Sequence, residues 1–170
     1  MRTAALILFA AIVPVAGAAP VPKHLMKEAE NPDLAALQGK WTITGIALDG
    51  TELPADLIAG LNLTFEFKGD TAVLTNPTQK ETVTATVKLD LTAKPRRITF
   101  SNEKTTDLDG KPTKADAKSL GTLIYKIDGD TLVVAGRADS PDKKAVGAPD
   151  DFVGKPGSNT ATLTFKRVTK

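Results

Sequence analysis

In several stretches of the chain, apolar and polar residues alternate one by one. The clearest run is Leu61-Asn62-Leu63-Thr64-Phe65-Glu66-Phe67-Lys68, whose odd positions are all apolar and even positions all polar. Residues 82–89 repeat the pattern with Val83, Ala85, Val87 and Leu89 on one face, and residues 160–168 do so with Ala161, Leu163 and Phe165. A two-residue period sends successive side chains to opposite faces of an extended chain, so each run predicts a strand with one buried face. The chain holds 22 threonines, many of them in these runs, and β-branched residues suit such a half-buried surface. Weaker alternation predicts strands over 41–48, 71–75, 96–101, 120–127 and 131–137. The sum is eight strands and almost no helix.

Two joints, Lys68-Gly69-Asp70 and Asp128-Gly129-Asp130, carry tight hairpin signals. Eight antiparallel strands joined in sequence predict an up-and-down barrel, which leaves no sheet edge exposed. A two-sheet sandwich is the rival arrangement. Connection lengths favour the barrel and orient it, because successive loops alternate between its two ends. The connections at 68–70, 90–95 and 128–130 are short, whereas 49–60, 102–119 and 138–159 are long and 76–81 is modest. The long loops therefore share one end, the mouth, and the short ones mark the floor. Before the first strand, Asn31-Pro32-Asp33 predicts a short helix with Asn as N-cap and Pro at its first position, ended by Gly39. Leu34 and Leu37 share a face of that helix and are expected to plug the floor.

The first residues change the picture. Met1-Arg2-Thr3, an apolar run over 4–15 and Ala16-Gly17-Ala18 have the layout of a secretory signal peptide over 1–18, cleaved after Ala18 or after the neighbouring Ala19. The run is too short for the ~20 apolar residues of a spanning helix, so no membrane span is expected after cleavage. Residues 19–30 are expected to be a flexible N-terminus and 31–170 the barrel domain. The expected location is the periplasm or the secreted fraction, as a monomer. The chain has no Cys, so its core must hold it together without disulfides. With 22 Lys+Arg against 20 Asp+Glu, charge makes no case for a nucleic-acid partner.

Gly39-Lys40-Trp41 at the entry to strand one has the G-x-W form seen in lipocalins. Arg167 shares the odd parity of Leu163 and Phe165, so it is expected to point inward near the floor beside Trp41. A late Arg packed across that Trp is a lipocalin feature, combining cation–π contact with hydrogen bonds to the plug. A wider ordered set covers most of 37–168: Leu37-Gln38-Gly39-Lys40-Trp41, the Asp49-Gly50 turn, Leu53-Pro54, the hairpin from Tyr125 to Leu132, Phe152, Lys155-Pro156-Gly157-Ser158 and Lys166-Arg167. In this set the chain resembles the lipocalin-like domain family abundant in planctomycete bacteria. That resemblance implies a small, often exported barrel and supplies no catalytic residue to carry over. The 102–119 loop is longer and more charged than the resemblance leads one to expect.

Candidate chemistry is sparse. The single His, His24, falls in the expected flexible start, where a general base would lack a partnered, enclosed position. Ser101, Ser119, Ser140 and Ser158 lie in or beside loops with no second His to activate them. Asp107-Leu108-Asp109-Gly110 and Asp128-Gly129-Asp130 look like fragments of calcium loops but lack the regular oxygens and closing Glu, so plain turns are expected and no metal or cofactor is implied. The chain is therefore expected to be no enzyme.

An eight-stranded barrel has an interior that side chains can just fill or that holds one small ligand. The expected inward set is Ile43, Phe65, Phe67, Val87, Ile98, Phe100, Tyr125, Val134, Leu163 and Phe165. The mouth candidates are Leu57, Ile58, Phe67, Tyr125 and Phe152, with Thr122 as a further polar contact. The reading that follows is a binding module for a small apolar ligand at the open end. Its alternative is a filled barrel that meets an envelope protein partner, or serves structurally in the envelope, through loops 102–119 and 138–159.

Overall fold

The computed structural model of the chain describes residues 31–113, 120–137 and 147–169. The expected signal peptide, segment 19–30 with His24, and parts 114–119 and 138–146 of two long loops lie outside the described residues.

The chain opens with α1 (Pro32–Leu37) and continues through β1 (Gly39–Leu48), β2 (Thr51–Glu52), α2 (Ala55–Leu61), β3 (Thr64–Lys68), β4 (Thr71–Asn76), β5 (Glu81–Asp90), β6 (Arg97–Asp107), β7 (Thr122–Asp128), β8 (Thr131–Arg137) and β9 (Thr160–Arg167). Each strand from β3 to β9 pairs antiparallel with its successor, and β1 pairs with both β3 and β9. The ring is the expected eight-stranded up-and-down barrel. The two-residue β2 is an addition, a short hairpin partner for Ala47 and Leu48.

The expected inward set forms the core. Ile43, Phe65, Phe67, Val87, Ile98, Phe100, Tyr125, Val134 and Phe165 are buried in one cluster, and the half-buried Leu163 packs against it. The rings of Phe65 and Phe67 lie 4.6 Å apart between centroids, and Phe65 also meets Phe100 at 5.6 Å and Phe165 at 6.0 Å. Such tilted and offset pairs satisfy the ring quadrupoles while filling the lower barrel.

Three boundaries differ from expectation. The run 61–68 is strand only from Thr64: Leu61 closes α2, and Asn62 turns the chain with φ 48°. Leu61 is the last helical residue, and Leu63 follows the turn, where its carbonyl accepts the Ile43 N–H at 3.0 Å. The expected 102–119 loop is strand as far as Asp107, paired with Glu81–Thr84 of β5. Ser101-Asn102-Glu103-Lys104 carries no apolar face, so hydrophobic alternation is silent there. A bulge at Asn102 (φ 54°) shifts the register opposite Ala85, and such bulges bend a strand without ending it. Finally, β1 bulges at Thr44, where the pairing with β9 moves from Ile43↔Phe165 to Gly45↔Thr164. The extra residue reverses parity, so Ile46 rather than Gly45 stands opposite the inward Leu163.

Candidate functional site

The closed end is built from α1. The Asn31 side chain accepts the Leu34 N–H at 3.1 Å and Pro32 occupies the first turn, as the sequence predicts. Leu34 and Leu37 are buried beneath the barrel. The helix is capped at Gln38, and Gly39 then reverses into β1 at φ 103°, a conformation open to Gly.

Polar contacts tie this plug to the barrel on every side. Trp41 is fully buried, and its indole N–H donates to Leu37 O at 2.8 Å. The Arg167 guanidinium lies 4.1 Å from the centre of the Trp41 ring. It donates to Ala36 O at 2.7 Å, to Gln38 O and to the Asp130 carboxylate at 3.0 Å. The Gln38 amide donates to Gly69 O at 3.1 Å and accepts Gly69 N–H at 2.8 Å, pinning the first floor hairpin. Tyr125 donates its hydroxyl to Asp33 at 2.7 Å, and Arg96 donates to both oxygens of that carboxylate at 2.7 Å. Burial first, then the hydrogen bond to Asp33, raises the Tyr125 phenol far above its ordinary range.

The open end has different chemistry. Moving up the barrel, buried aromatics give way to half-buried Ile46, Leu53, Leu63, Leu74, Leu120, Leu123 and Leu163. Above Thr42, β1 has no partner in β3, because α2 occupies that flank. An open cleft of about 330 Å³ remains there, lined by Thr44, Gly45, Ile46, Ala47, Glu52, Leu53, Ala55 and Ile58.

A latch beside this cleft fixes the β1–β2 turn. The Asp49 carboxylate accepts from Gly157 N–H at 3.0 Å, Ser158 Oγ at 2.9 Å and Thr160 N–H at 2.8 Å. The Ser158 hydroxyl first, then the Thr160 and Gly157 amides, holds its pKa below the ordinary Asp value. Gly50 sits at φ 79°, and a Cβ there would lie 2.7 Å from Gly154 O. The turn therefore needs glycine for both conformation and space.

The mouth candidates divide. Ile58 is 5% exposed and lines the cleft from the core side, while Leu57 is 62% exposed on the outer side of α2. Phe67 and Tyr125 do not lie at the mouth: Phe67 precedes the floor hairpin by two residues, and Tyr125 reaches down to α1. Thr122 meets Thr99 Oγ1 at 3.1 Å on the outward face of the sheet. Phe152 lies against the outer wall, with Lys126 Nζ 5.1 Å from its ring centre and its carbonyl accepting from Thr162 Oγ1 at 2.7 Å. The outward-facing pair Ile124 and Ala135 is fully buried on this same side, Ala135 standing beside Thr162 in the β8–β9 register.

Sequence position could have corrected Phe67. A strand rises ~3.3 Å per residue, so a residue beside a floor hairpin cannot reach the mouth. Asp49 and Asp33 had no comparable signal, because their partners lie more than sixty residues away along the chain.

Asp107 accepts the Asp109 and Lys111 N–H groups at 3.0 and 2.8 Å, which makes its segment an Asp-stabilised turn. Among the described residues, no group of three or more His, Cys, Asp or Glu gathers in a metal-holding arrangement. No helix among them is long and apolar enough to cross a membrane.

These features define a class: an antiparallel barrel with a plugged floor, a packed aromatic lower half and an apolar open end. Comparison of the chain with protein-family models, with curated proteins and with solved structures gives no match.

Proposed function

We propose that this protein is an exported, non-enzymatic binding module of lipocalin-like type that takes one small apolar ligand at the open end of its barrel. The observation that carries the reading is the 330 Å³ cleft bounded by Ile46, Leu53 and Ile58. That volume falls at the lower end of the ~300–1,000 Å³ of small-molecule sites, which combine apolar walls with few polar groups. The rigid floor supports the reading as well, because a seat built on fixed strands loses little ordering entropy on binding. The signal-like start over 1–18 and the G-x-W entry support export and kinship.

Native mass spectrometry with solvent extraction, on mature protein from its own envelope, tests the proposal. A stoichiometric apolar passenger is expected, and Ala55→Phe, which fills the cleft from an exposed position, should exclude it. An empty barrel in repeated preparations, or a passenger retained by Ala55→Phe, would sink this seat. Emptiness would move the weight to an envelope protein partner.

A further inference from the structure

We infer that the cleft selects for charge: its ligand is a small amphiphilic cation, an apolar body carrying a protonated amine, held with the amine at Glu52. This rests on the cleft being a ligand seat. Two independent observations point to it. Glu52 is the one charged residue lining the cleft, in walls otherwise made by Ile46, Ala47, Leu53, Ala55 and Ile58 with Thr44 and Gly45. Among the described residues, no Lys or Arg forms an ion pair with Glu52.

The second observation is the charge distribution along the chain. Between Lys40 and Lys68 there is no Lys, Arg or His, while Asp49, Glu52 and Asp56 fall in that stretch; the fourth acid there, Glu66, pairs with Lys68 at 2.7 Å at the floor end of β3 and does not act on the cleft. The chain as a whole is net positive at +2. Every residue lining the cleft comes from this stretch, so its walls carry charge of one sign. Asp49 is committed to the Gly157–Thr160 latch, and Asp56 lies in the first turn of α2 beside Ala55. A carboxylate at the rim of an open cleft, with no cation in its lining, sets up a local field that attracts cations and repels anions. An anionic amphiphile, such as a fatty carboxylate, would place its head against Glu52 with no counter-charge.

The test uses three probes with one ring skeleton: cyclohexylammonium, cyclohexanol and cyclohexanecarboxylate. Each is titrated into the full chain near neutral pH, following the amide signals of Ile46, Leu53 and Ala55 by NMR. The ammonium should bind roughly two- to fivefold more tightly than the alcohol, the increment of a solvent-exposed ion pair. The carboxylate should bind most weakly, and added salt should narrow the gap between ammonium and alcohol. Glu52→Gln should abolish that gap while leaving the alcohol unchanged. Equal binding of ammonium and alcohol, or a gap that survives Glu52→Gln, overturns the charge preference and leaves the cleft as a seat. Silence of these amides towards all three probes overturns the cleft and the preference together.

Discussion

The two ends of this barrel are held by different kinds of contact. At the floor, Trp41, Arg167, Gln38 and Tyr125 each join the α1 plug to a different part of the wall, and aromatic packing begins directly above them. At the mouth, the described contacts include a two-residue strand, a seven-residue helix and carboxylates at Asp49 and Glu103, the latter accepting the Leu120 N–H at 2.9 Å. Interlocked contacts at the floor remove one another's freedom, so losing any of them strands the rest. The mouth's contacts are separable, and a site that admits a ligand must come from the less stable part of a fold.

That contrast can be broken most directly at Trp41. Trp41→Ala removes a fully buried side chain, and unfolding in urea should show a loss of about 3–5 kcal/mol. A loss under 1 kcal/mol would mean the floor is no tighter than the mouth.

Arg167→Lys keeps the charge but cannot reach Ala36 O, Gln38 O and Asp130 together. It should cost about 1.5–3 kcal/mol, the range for hydrogen bonds to a charged group. Wild-type stability in this variant would show that the fork of donors is dispensable.

Acid should loosen the Asp49 latch at the mouth. The folded pKa of Asp49 is depressed, so its contribution is complete above the ordinary Asp value of ~3.9 and is lost as pH falls through the folded value. The difference in melting temperature between wild type and Asp49→Asn should therefore shrink as pH drops below about 4. A difference that holds constant through that range would assign the latch no electrostatic role.

The smallest effect is expected at Leu57, which is 62% exposed. Leu57→Asp should change stability by no more than about 0.5 kcal/mol and leave ligand uptake intact. Lost uptake would bring the outer side of α2 into the site.

The interior was legible because alternation reports which face of a strand is buried, and the inward set from Ile43 to Phe165 follows from parity alone. Arg167 beside Trp41 was legible for the same reason, since strand connectivity sets the register of the last strand against the first. Parity does not report height along a strand. Phe67 and Tyr125 face the interior as expected but stand at the floor. It is also silent where neither face is apolar, as over Asn102–Lys104, and it reverses wherever a bulge adds a residue, as at Thr44. The cleft depends on α2 displacing β3 from the upper half of β1, a tertiary arrangement that leaves no periodic trace. Phe152 was legible as an apolar anchor, but not the wall it anchors to, because its partners Lys126 and Thr162 read as ordinary exposed strand positions.

The chain has one Trp and one Tyr, and both contact the same plug. Its natural optical reporters are thus gathered at one pole of the molecule. Intrinsic fluorescence and tyrosine absorbance will follow the floor closely while the cleft fills, empties or frays unseen. A single sharp transition by those probes certifies only half of the barrel, and an unchanged emission spectrum says nothing about an occupant some strand-lengths away. Events at the mouth become visible only through a label placed there, through amide signals, or by weighing the complex.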